Sequence, residues 1–334
     1  MASRGGAGLG LVTSAAAPAR SLSASSGATK GVRPPAPSRR GWGARLARVP
    51  LVVWVMLAVP LAVEAFWVFW PAINSFSLAT LRWDGITPAE SVGLQNFVDL
   101  WNDPIFRTAA WNNVLWLLFF GVLSIAGGLA LAVALNKPGR GVGIYRAAIY
   151  LPMVISLAVT GLFWRVMYQP DGPINSALEL IGLGFLQRQW LAEPDVALGA
   201  ILVAAVWRQV GYVMVLYLAG LKGCDASLEE AAAVDGANAW QRFWKIVMPQ
   251  LSGVHTVVIA VTVIDSLRAF DIVWTMTRGG PYNSTQLLST YMFQQAFTVG
   301  NLGYASAIAV IIFLLAIGFI ITYLIRQART EDPA

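Results

Sequence analysis

The sequence predicts an all-α polytopic membrane protein with six transmembrane helices, and three observations support this fold class. Hydrophobic residues make up 57% of the 334 residues and charged residues only 12%, about half the charged share of a soluble globular domain. Six apolar runs are long enough to span the hydrocarbon core of a bilayer. A single cysteine and a single histidine exclude a disulfide framework and a cluster of His and Cys metal ligands.

The six predicted spans are runs of roughly 20 mostly apolar residues, the length that a helix needs to cross a membrane. They lie near residues 49–70, 112–135, 150–168, 196–220, 253–275 and 303–325. Pro60 lies in the middle of the first run, where we expect a kink of the kind that packed membrane helices tolerate. Pro152 lies in the first turn of the third run, where a proline loses no helical hydrogen bond. An even number of spans places both termini on the same side of the membrane.

Residues 1–48 form a separate region that is rich in Ala, Ser, Gly, Pro and Arg and contains no acidic residue. Because this region has too little apolar surface to offset the entropy of ordering, we predict a disordered basic tail ahead of a membrane domain at residues 49–330. A secretory signal is the alternative interpretation, but its charged lead-in is far too long and Glu64 interrupts the apolar run that follows. We therefore interpret this run as a transmembrane helix and expect Glu64 to pack against another helix.

The distribution of basic residues predicts the orientation of the chain. With both termini in the cytoplasm, the inner segments contain 16 Lys and Arg residues and the outer loops contain 4. Cytoplasmic segments of membrane proteins have an excess of basic residues. We therefore predict cytoplasmic termini, outer loops near residues 71–111, 169–195 and 276–302, and a large inner loop near residues 221–252.

The inner loop at residues 221–252 contains the strongest local signal. Small residues around Ala231 predict a short helix, Gly236 predicts a break, and Pro249 predicts the end of a second short helix. The second helix has an apolar face at helical spacing, formed by Trp240, Phe243, Trp244 and Val247. Two interpretations remain open from the residues alone. The loop is either an amphipathic helix that rests on lipid headgroups or a docking site for another protein.

This loop resembles the signature loop of ABC-importer membrane subunits. The signature is Glu-Ala-Ala, three residues, Gly, nine residues, Ile, one residue, a hydrophobic residue and Pro. It is met by Glu230, Ala231, Ala232, Gly236, Ile246, Met248 and Pro249. In that family the loop forms the coupling helices that sit in a cleft of the ATP-hydrolysing subunit. The resemblance implies a type I ABC importer permease fold with ATPase-coupling residues at Glu230, Ala231, Ala232, Asp235, Gly236, Ile246 and Pro249.

Other segments narrow the resemblance to the maltose-type permeases of carbohydrate importers. These segments are residues 92–97, 112–113, 150–152, 172–175 and 270–285, and the resemblance as a whole covers residues 49–330. It implies four kinds of partner: a second homologous permease subunit, two ATP-binding subunits, an extracytoplasmic sugar-binding protein and membrane lipid. It implies no nucleic acid partner. It also implies a multi-pass protein of the cell membrane of a bacterium.

The chain lacks the motifs of an ATPase. No Gly-Lys dipeptide occurs in it, so the Walker A phosphate loop is missing, and the lone His255 and Cys224 provide no convincing nucleophile and base. We expect a transport subunit rather than an enzyme, with no metal site and no cofactor in this chain. The resemblance implies that ATP and Mg²⁺ bind to the partner ATPase subunits.

Polar residues inside the predicted spans are candidates for a transport pathway, because a charge at bilayer depth usually faces protein or a water-filled cavity. Asp265, Arg268 and Asp271 follow one another at intervals of three in the fifth run, so that Asp265 and Arg268 can meet on one helical face. They either form an internal pair that fixes helix packing or receive sugar hydroxyls. The family resemblance places the substrate contacts on Gln209, Tyr212, Thr262, Asp265, Ser266 and Ala269.

These features predict a membrane subunit of an ATP-driven importer for a sugar or oligosaccharide, forming half of the translocation pathway. One alternative is an ABC importer for another solute, such as a glycerol phosphodiester or a polyamine. A second alternative is an ion-coupled secondary carrier with Asp265, Arg268 and Asp271 as a relay. Such a carrier needs no docking loop and often shows inverted repeats, and this sequence has the loop and shows no sign of the repeats.

Overall fold

A computed structural model of the chain describes residues 51–137 and 139–331, so the tail predicted for residues 1–48 lies outside the described residues. The described part is mostly helical, with one two-stranded hairpin, which confirms the predicted all-α class. Four helices are long and apolar enough to cross a membrane. They are Val52–Leu78, Pro104–Leu135, Pro194–Leu221 and Leu302–Tyr323.

Two further pairs of helices reach the length and hydropathy of a span only when each pair is taken together. Val142–Val154 is followed by Leu157–Met167 at an angle of 102°, and Ala239–Gln250 is followed by Ser252–Leu267 at 73°. By length and composition, the described ranges contain six spans if each bent pair is one span, which is the predicted number. The third predicted run is broken at residues 155–156 and the fifth at residues 268–270, so the prediction of continuous helices at residues 150–168 and 253–275 is wrong.

The first span consists of α1 (Leu51–Glu64), a π-helical turn (Ala65–Phe69) and α2 (Trp70–Leu78). Pro60 lies inside α1, and the helix continues past it. Glu64 ends α1 with an exposed side chain.

A hairpin and two helices follow the first span. β1 (Leu81–Arg82) pairs antiparallel with β2 (Glu90–Ser91), and α3 (Gln95–Asn102) leads into α4 (Pro104–Leu135). Asp103 caps α4, because its carboxylate accepts a hydrogen bond from the backbone N–H of Ile105 at 2.8 Å. Pro104 occupies the first turn, where its missing N–H removes no helical hydrogen bond.

The third span consists of α5 (Val142–Val154) and α6 (Leu157–Met167). Pro152 lies in the last turn of α5 and not in the first turn of a helix, because α5 begins well before the predicted run. Its missing N–H weakens the end of α5, and Ser156 then caps α6 by accepting a hydrogen bond from the N–H of Val159 at 3.3 Å. The break therefore has a local cause on both sides.

The predicted outer loop before the fourth span contains α7 (Pro173–Leu180) and a 3₁₀ turn (Gly184–Leu186). The fourth span and the loop after it are helical almost throughout. They consist of α8 (Pro194–Leu221), α9 (Ala226–Val234), α10 (Ala239–Arg242), a π-helical turn (Phe243–Val247) and α11 (Met248–Gln250). The span proper is α8, and α9 to α11 belong to the predicted inner loop.

The last third of the chain contains the fifth and sixth spans. Its elements are α12 (Ser252–Leu267), α13 (Asp271–Met276), α14 (Leu288–Phe293), a π-helical turn (Gln294–Val299) and α15 (Leu302–Glu331). The helix is interrupted at residues 268–270, between α12 and α13. Asp265 and Asp271 therefore belong to different helices, and the regular helical spacing predicted for them does not apply.

The centre of the bundle is formed by α4, α8 and α12, which approach one another closely at small residues, as membrane helices commonly do. A methyl group added at Gly128 of α4 would overlap the side chain of Val213 in α8. A methyl group added at Gly211 of α8 would overlap the carbonyl oxygen of Ile149 in α5. This close packing places the middle of α8 directly beside α4 and α5.

Residues 79–103 and 277–301, called the cap below, lie together at one end of the bundle. The backbone N–H of Gly303 donates to the carbonyl oxygen of Trp83 at 3.2 Å. The Tyr304 hydroxyl donates to Asp103 Oδ2 at 2.8 Å. The start of α15 is thereby joined to both the hairpin and the start of α4.

Two consecutive asparagines of α4 hold the second half of the cap. The side-chain Nδ2 of Asn112 donates to the carbonyl oxygens of Ser284 and Gln286 at 2.8 and 2.9 Å. The side-chain Oδ1 of Asn113 accepts from the backbone N–H of Leu288 at 2.7 Å. Both asparagines are buried. Their side chains therefore provide the hydrogen-bond partners of backbone groups that would otherwise bond to water.

Candidate functional site

The loop between the fourth and fifth spans is shaped by its own caps. Asp225 begins α9 by accepting a hydrogen bond from the N–H of Ser227 at 2.9 Å. Gly236 ends it with a φ of +86°, a left-handed conformation that favours glycine. Asn238 and Gln241 form a capping box at the start of α10, with reciprocal bonds of 2.8 and 3.0 Å. The structure agrees with the predicted helix, glycine break and second helix.

The two ends of the loop are also held together. The backbone N–H of Asp225 donates to the Gln250 side chain at 2.8 Å, and Arg242 Nε lies 3.8 Å from Glu229 Oε1. Hydrogen bonds from Ser227 hold the pKa of the Asp225 carboxyl below its usual value, and burial raises the pKa of the Cys224 thiol. The loop is therefore a single compact unit rather than a flexible connection.

Most of the predicted coupling residues lie on the surface of this unit. Glu230, Ala231, Asp235, Gly236 and Pro249 are exposed, and Ala232 and Ile246 are half-buried. A shallow pocket of about 450 Å³ has Ala232, Asp235, Gly236, Lys245 and Ile246 in its lining. Four predicted coupling residues therefore share one concave surface, and Glu230, Ala231 and Pro249 lie outside its lining.

The predicted apolar face of the second helix is divided between surface and core. Trp240 and Trp244 are 70% and 47% exposed, whereas Phe243 and Val247 pack into the core between α8 and α12. The helix ends at Gln250, next to Pro249 as predicted, and the chain bends by 73° before α12. The π-helical turn before Pro249 was not predicted.

The second candidate site is a cavity of about 260 Å³ among α4, α8 and the breaks of the third and fifth spans. Its polar lining consists of Arg208, Gln209, Asp265, Arg268 and Asp271, and Trp116 and Phe120 form an aromatic wall. Gln209 Nε2 donates to Asp265 Oδ2 at 3.0 Å and so connects α8 to α12. In the described ranges, no group of three or more His, Cys, Asp or Glu side chains able to hold a metal occurs.

Three of the six predicted substrate residues line this cavity, namely Gln209, Asp265 and Ala269. Tyr212 is half-buried and outside the lining. Thr262 and Ser266 are only 1% and 0% exposed, and their hydroxyl oxygens have no hydrogen-bond partner among the described residues. The structure thus brings together half of the predicted set and encloses two hydroxyls in the packing of α12.

The internal pair of Asp265 and Arg268, one of the two interpretations left open by the sequence, is not formed. No ion pair of 4.0 Å or less joins them within the described part of the chain, and Asp265 is bonded to Gln209 instead. Arg268 lies at the end of α12, where the helix stops and the side chains no longer follow helical spacing.

Sequence reasoning missed Trp116, Phe120 and Arg208 as lining residues. The guanidinium group of Arg208 contacts the carbonyl oxygens of Met153 and Ile155 at 3.4 Å each, at the break of the third span. Arg208 is a charged residue next to Gln209 in an apolar run, and this pattern could have predicted it as a lining residue. No such signal distinguishes Trp116 from the other 13 tryptophans.

Comparison with known proteins agrees with this architecture. The family described as binding-protein-dependent transport system inner membrane component matches residues 124–330. A probable ABC transporter permease protein of Pyrococcus horikoshii is 34% identical over 286 residues, covering 85% of this chain and 98% of the relative. The lactose transport system permease protein of Rhizobium radiobacter is 33% identical over 282 residues, covering 83% and 94%.

A solved structure has the same fold. A chain in the crystal structure of a bacterial ABC transporter involved in import of the acidic polysaccharide alginate matches with a TM-score of 0.74 and 20% identity, covering 84% of this chain and 96% of that one. The family match includes α8, α12, the loop between them and both broken spans. The chain therefore belongs to the family of binding-protein-dependent transport system inner membrane components, the permease subunits of ABC importers.

Proposed function

We propose that this permease forms half of the translocation pathway of an ATP-driven importer for a sugar or oligosaccharide. It works with a second homologous permease, two ATP-binding subunits that hydrolyse ATP, and an extracytoplasmic sugar-binding protein. The main supporting observation is the loop at residues 225–250, which is exposed, internally capped and closed on itself. A rigid unit of this kind can transmit a displacement of a docked partner.

The loop is connected directly to the two helices that hold the cavity. It follows α8 and precedes α12, and the bond from Gln209 to Asp265 joins these same helices across the cavity. A movement of the loop therefore acts on both walls at once. We propose that Glu230 and the pocket around Asp235 and Lys245 contact the ATP-binding subunit, and that closure of the ATPase pair moves α8 against α12.

The cavity has the chemistry that a sugar needs. Carboxylate, amide and guanidinium groups can bond sugar hydroxyls, and aromatic rings offer a surface for the apolar face of a sugar ring. The lactose permease relative and the alginate importer support this substrate class. We propose that Gln209, Asp265 and Ala269 contact the solute in the present arrangement. Tyr212, Thr262 and Ser266 join the pathway when α12 moves, which gives the two enclosed hydroxyls partners.

We further propose that both termini and the coupling loop lie in the cytoplasm, in the cell membrane of a bacterium. The excess of basic residues on that side, 16 against 4, supports this orientation. A docking site for ATP-binding subunits must also be reachable from the compartment that contains ATP.

The direct test is uptake by the complete assembly reconstituted in liposomes. The solutes are labelled mono- and disaccharides, a glycerol phosphodiester and putrescine, each with and without ATP. ATP-dependent uptake of a sugar supports the proposal. Uptake of only the phosphodiester or the polyamine contradicts the sugar assignment, and uptake driven by an ion gradient without ATP contradicts the importer class.

Glu230→Lys tests the coupling role in the same assay. We expect the variant to insert and to assemble but to lose at least about tenfold in uptake per ATP hydrolysed, because a reversed charge disturbs the docked surface. Glu179→Lys, at an exposed position in α7, is the matched control. Normal transport by the Glu230 variant, or equal losses in both variants, would count against the docking surface.

A further inference from the structure

We infer that the cavity selects an uncharged, polyhydroxylated solute over an acidic sugar, and that Arg268 and Asp271 set this selectivity; the inference rests on the proposed function. Four lining residues are ionisable, namely Arg208, Asp265, Arg268 and Asp271, and they are called the charge set below. Two guanidinium groups and two carboxylates give the charge set a formal charge of zero. The other lining residues are uncharged.

The charge set is not satisfied by internal pairing. No two of its members form an ion pair of 4.0 Å or less within the described residues. Asp265, Arg268 and Asp271 are exposed in this chain, although charge beside lipid is unfavourable. These groups therefore face other protein or the pathway. A sugar hydroxyl suits both kinds of group, because it can donate to a carboxylate and accept from a guanidinium.

Trp116 is a second and independent indication of a ligand. It lines the cavity, is only 1% exposed, and its indole Nε1 has no hydrogen-bond partner among the described residues. A buried indole N–H usually has a partner. The Trp116 ring stacks near Phe120, with centroids 6.0 Å apart and planes 16° apart. Because the indole N–H is itself enclosed, an oxygen acceptor of a solute reaches it only when the wall opens; a sugar presents such an acceptor together with an apolar ring face.

The balance of charge decides between neutral and acidic sugars. An uncharged solute leaves the occupied cavity neutral, whereas a carboxylate makes it negative. Uncompensated charge is costly in a confined site, because electrostatic interactions are stronger there than in bulk water. The volume of about 260 Å³ lies just below the usual range of roughly 300–1,000 Å³ for ligand sites, so a bound solute lies close to the charge set.

The test is binding to the complex of both permeases and both ATP-binding subunits in nanodiscs, without the binding protein, so that selectivity arises in the membrane subunits. The probes are labelled pairs that differ by one carboxylate: glucose and glucuronate, galactose and galacturonate, lactose and lactobionate. We expect the neutral member of at least one pair to bind about tenfold more tightly or better. Asp171→Asn, an exposed carboxylate outside the cavity, is the control for a change in total charge.

Two variants of the charge set should change the ratio of the affinity for the neutral sugar to the affinity for the acidic sugar in opposite directions. Asp271→Asn makes the set positive and should reduce the preference for the neutral sugar by about tenfold, whereas Arg268→Gln makes it negative and should increase the preference. Both variants should assemble normally, which a purely structural role would not allow.

Three results would overturn the inference: uronates that bind as well as neutral sugars, a ratio that neither variant changes, or loss of assembly in both variants. Failure to detect saturable binding of every pair would overturn it as well. In all of these cases ATP-dependent uptake of a sugar by the complete assembly would leave the proposed function standing. If no sugar is taken up in that assay, the proposed function itself fails.

Discussion

The coupling loop and the cap are both built from short helices and turns, but the hydrogen bonds that hold them differ in range. In the loop, bonded residues are 2 to 25 positions apart, as between Asp225 and Ser227 or between Asp225 and Gln250. The cap is held to α4 by the side chain of Asn112, which bonds carbonyl groups 172 and 174 positions away. The loop can therefore move as a unit without breaking its own bonds, whereas movement within the cap breaks contacts between different spans.

The largest effect is expected where the cap meets α15. In Gly303→Ala the new methyl group would overlap the carbonyl oxygen of Leu81, a backbone atom that cannot rotate away. We expect a loss of about 3 kcal/mol or more in stability, seen as a lower melting temperature of the purified complex. Gly318→Ala is the control, since nothing lies within 4 Å of its added methyl group. Equal melting of both variants would show that the cap is not a rigid junction.

Acid should weaken the cap. Burial raises the pKa of the Asp103 carboxyl, but hydrogen bonds from Tyr291, Tyr304 and the start of α4 outweigh it and hold the pKa below 3.8. The stabilisation is therefore present above pH 3.8 and is lost as the pH falls through the lower pKa of the folded state.

The comparison of wild type with Asp103→Asn isolates this group. Between about pH 5 and pH 3 the melting temperature of the wild type should fall more steeply than that of the variant, which cannot titrate at this position. Parallel curves would mean that other groups dominate the acid response and that the Asp103 contacts contribute little to the cap.

The smallest effect on stability is expected in the loop. Asn238→Ala removes the capping box at the start of α10 and should cost about 1 kcal/mol locally, without a measurable change in the melting of the complex. Uptake per ATP hydrolysed should nevertheless fall, because the docking surface loses its shape. Asn102→Ala, at an exposed residue whose bond is to a carbonyl four positions back, should leave both quantities unchanged. A fall in global stability with normal coupling would reverse the roles assigned to loop and cap.

The sequence separation of hydrogen-bonded residues also explains which features of the fold and of the site could be predicted from the sequence. The loop was predicted as helix, glycine break and helix because Gly236 and the residues around it specify these features locally. The π-helical turn before Pro249 was not predicted, because it has no signature comparable to a cap or a glycine.

The broken spans show where local reasoning stops. Pro152 and Ser156 mark the break of the third span in retrospect, since a proline and a helix cap stand four residues apart. The break at residues 268–270 contains neither glycine nor proline. There the carbonyl group of Ala269 accepts a hydrogen bond from the hydroxyl of Ser289, 20 positions later. A break stabilised by a distant partner cannot be read from its own segment.

The cavity was predicted only in part for the same reason. Gln209 and Asp265, both predicted as substrate contacts, line one cavity, and their mutual bond joins two helices through residues 56 positions apart. Thr262 and Ser266 were expected beside them but are buried in the bundle, which the spacing within α12 does not reveal. Trp116 was missed because the contact between α4 and α8 that brings it to the cavity depends on small residues such as Gly128.

The most direct test of the central claim is cross-linking of the loop to the ATP-binding subunit in the assembled complex. With Cys224→Ser as background, Trp240→Cys places a reactive group at an exposed position of the loop, and Ile86→Cys places one at a 92% exposed position of the cap. The account predicts a short-linker cross-link to the ATP-binding subunit from position 240 and none from position 86. A cross-link from the cap position, or none from either, would contradict it.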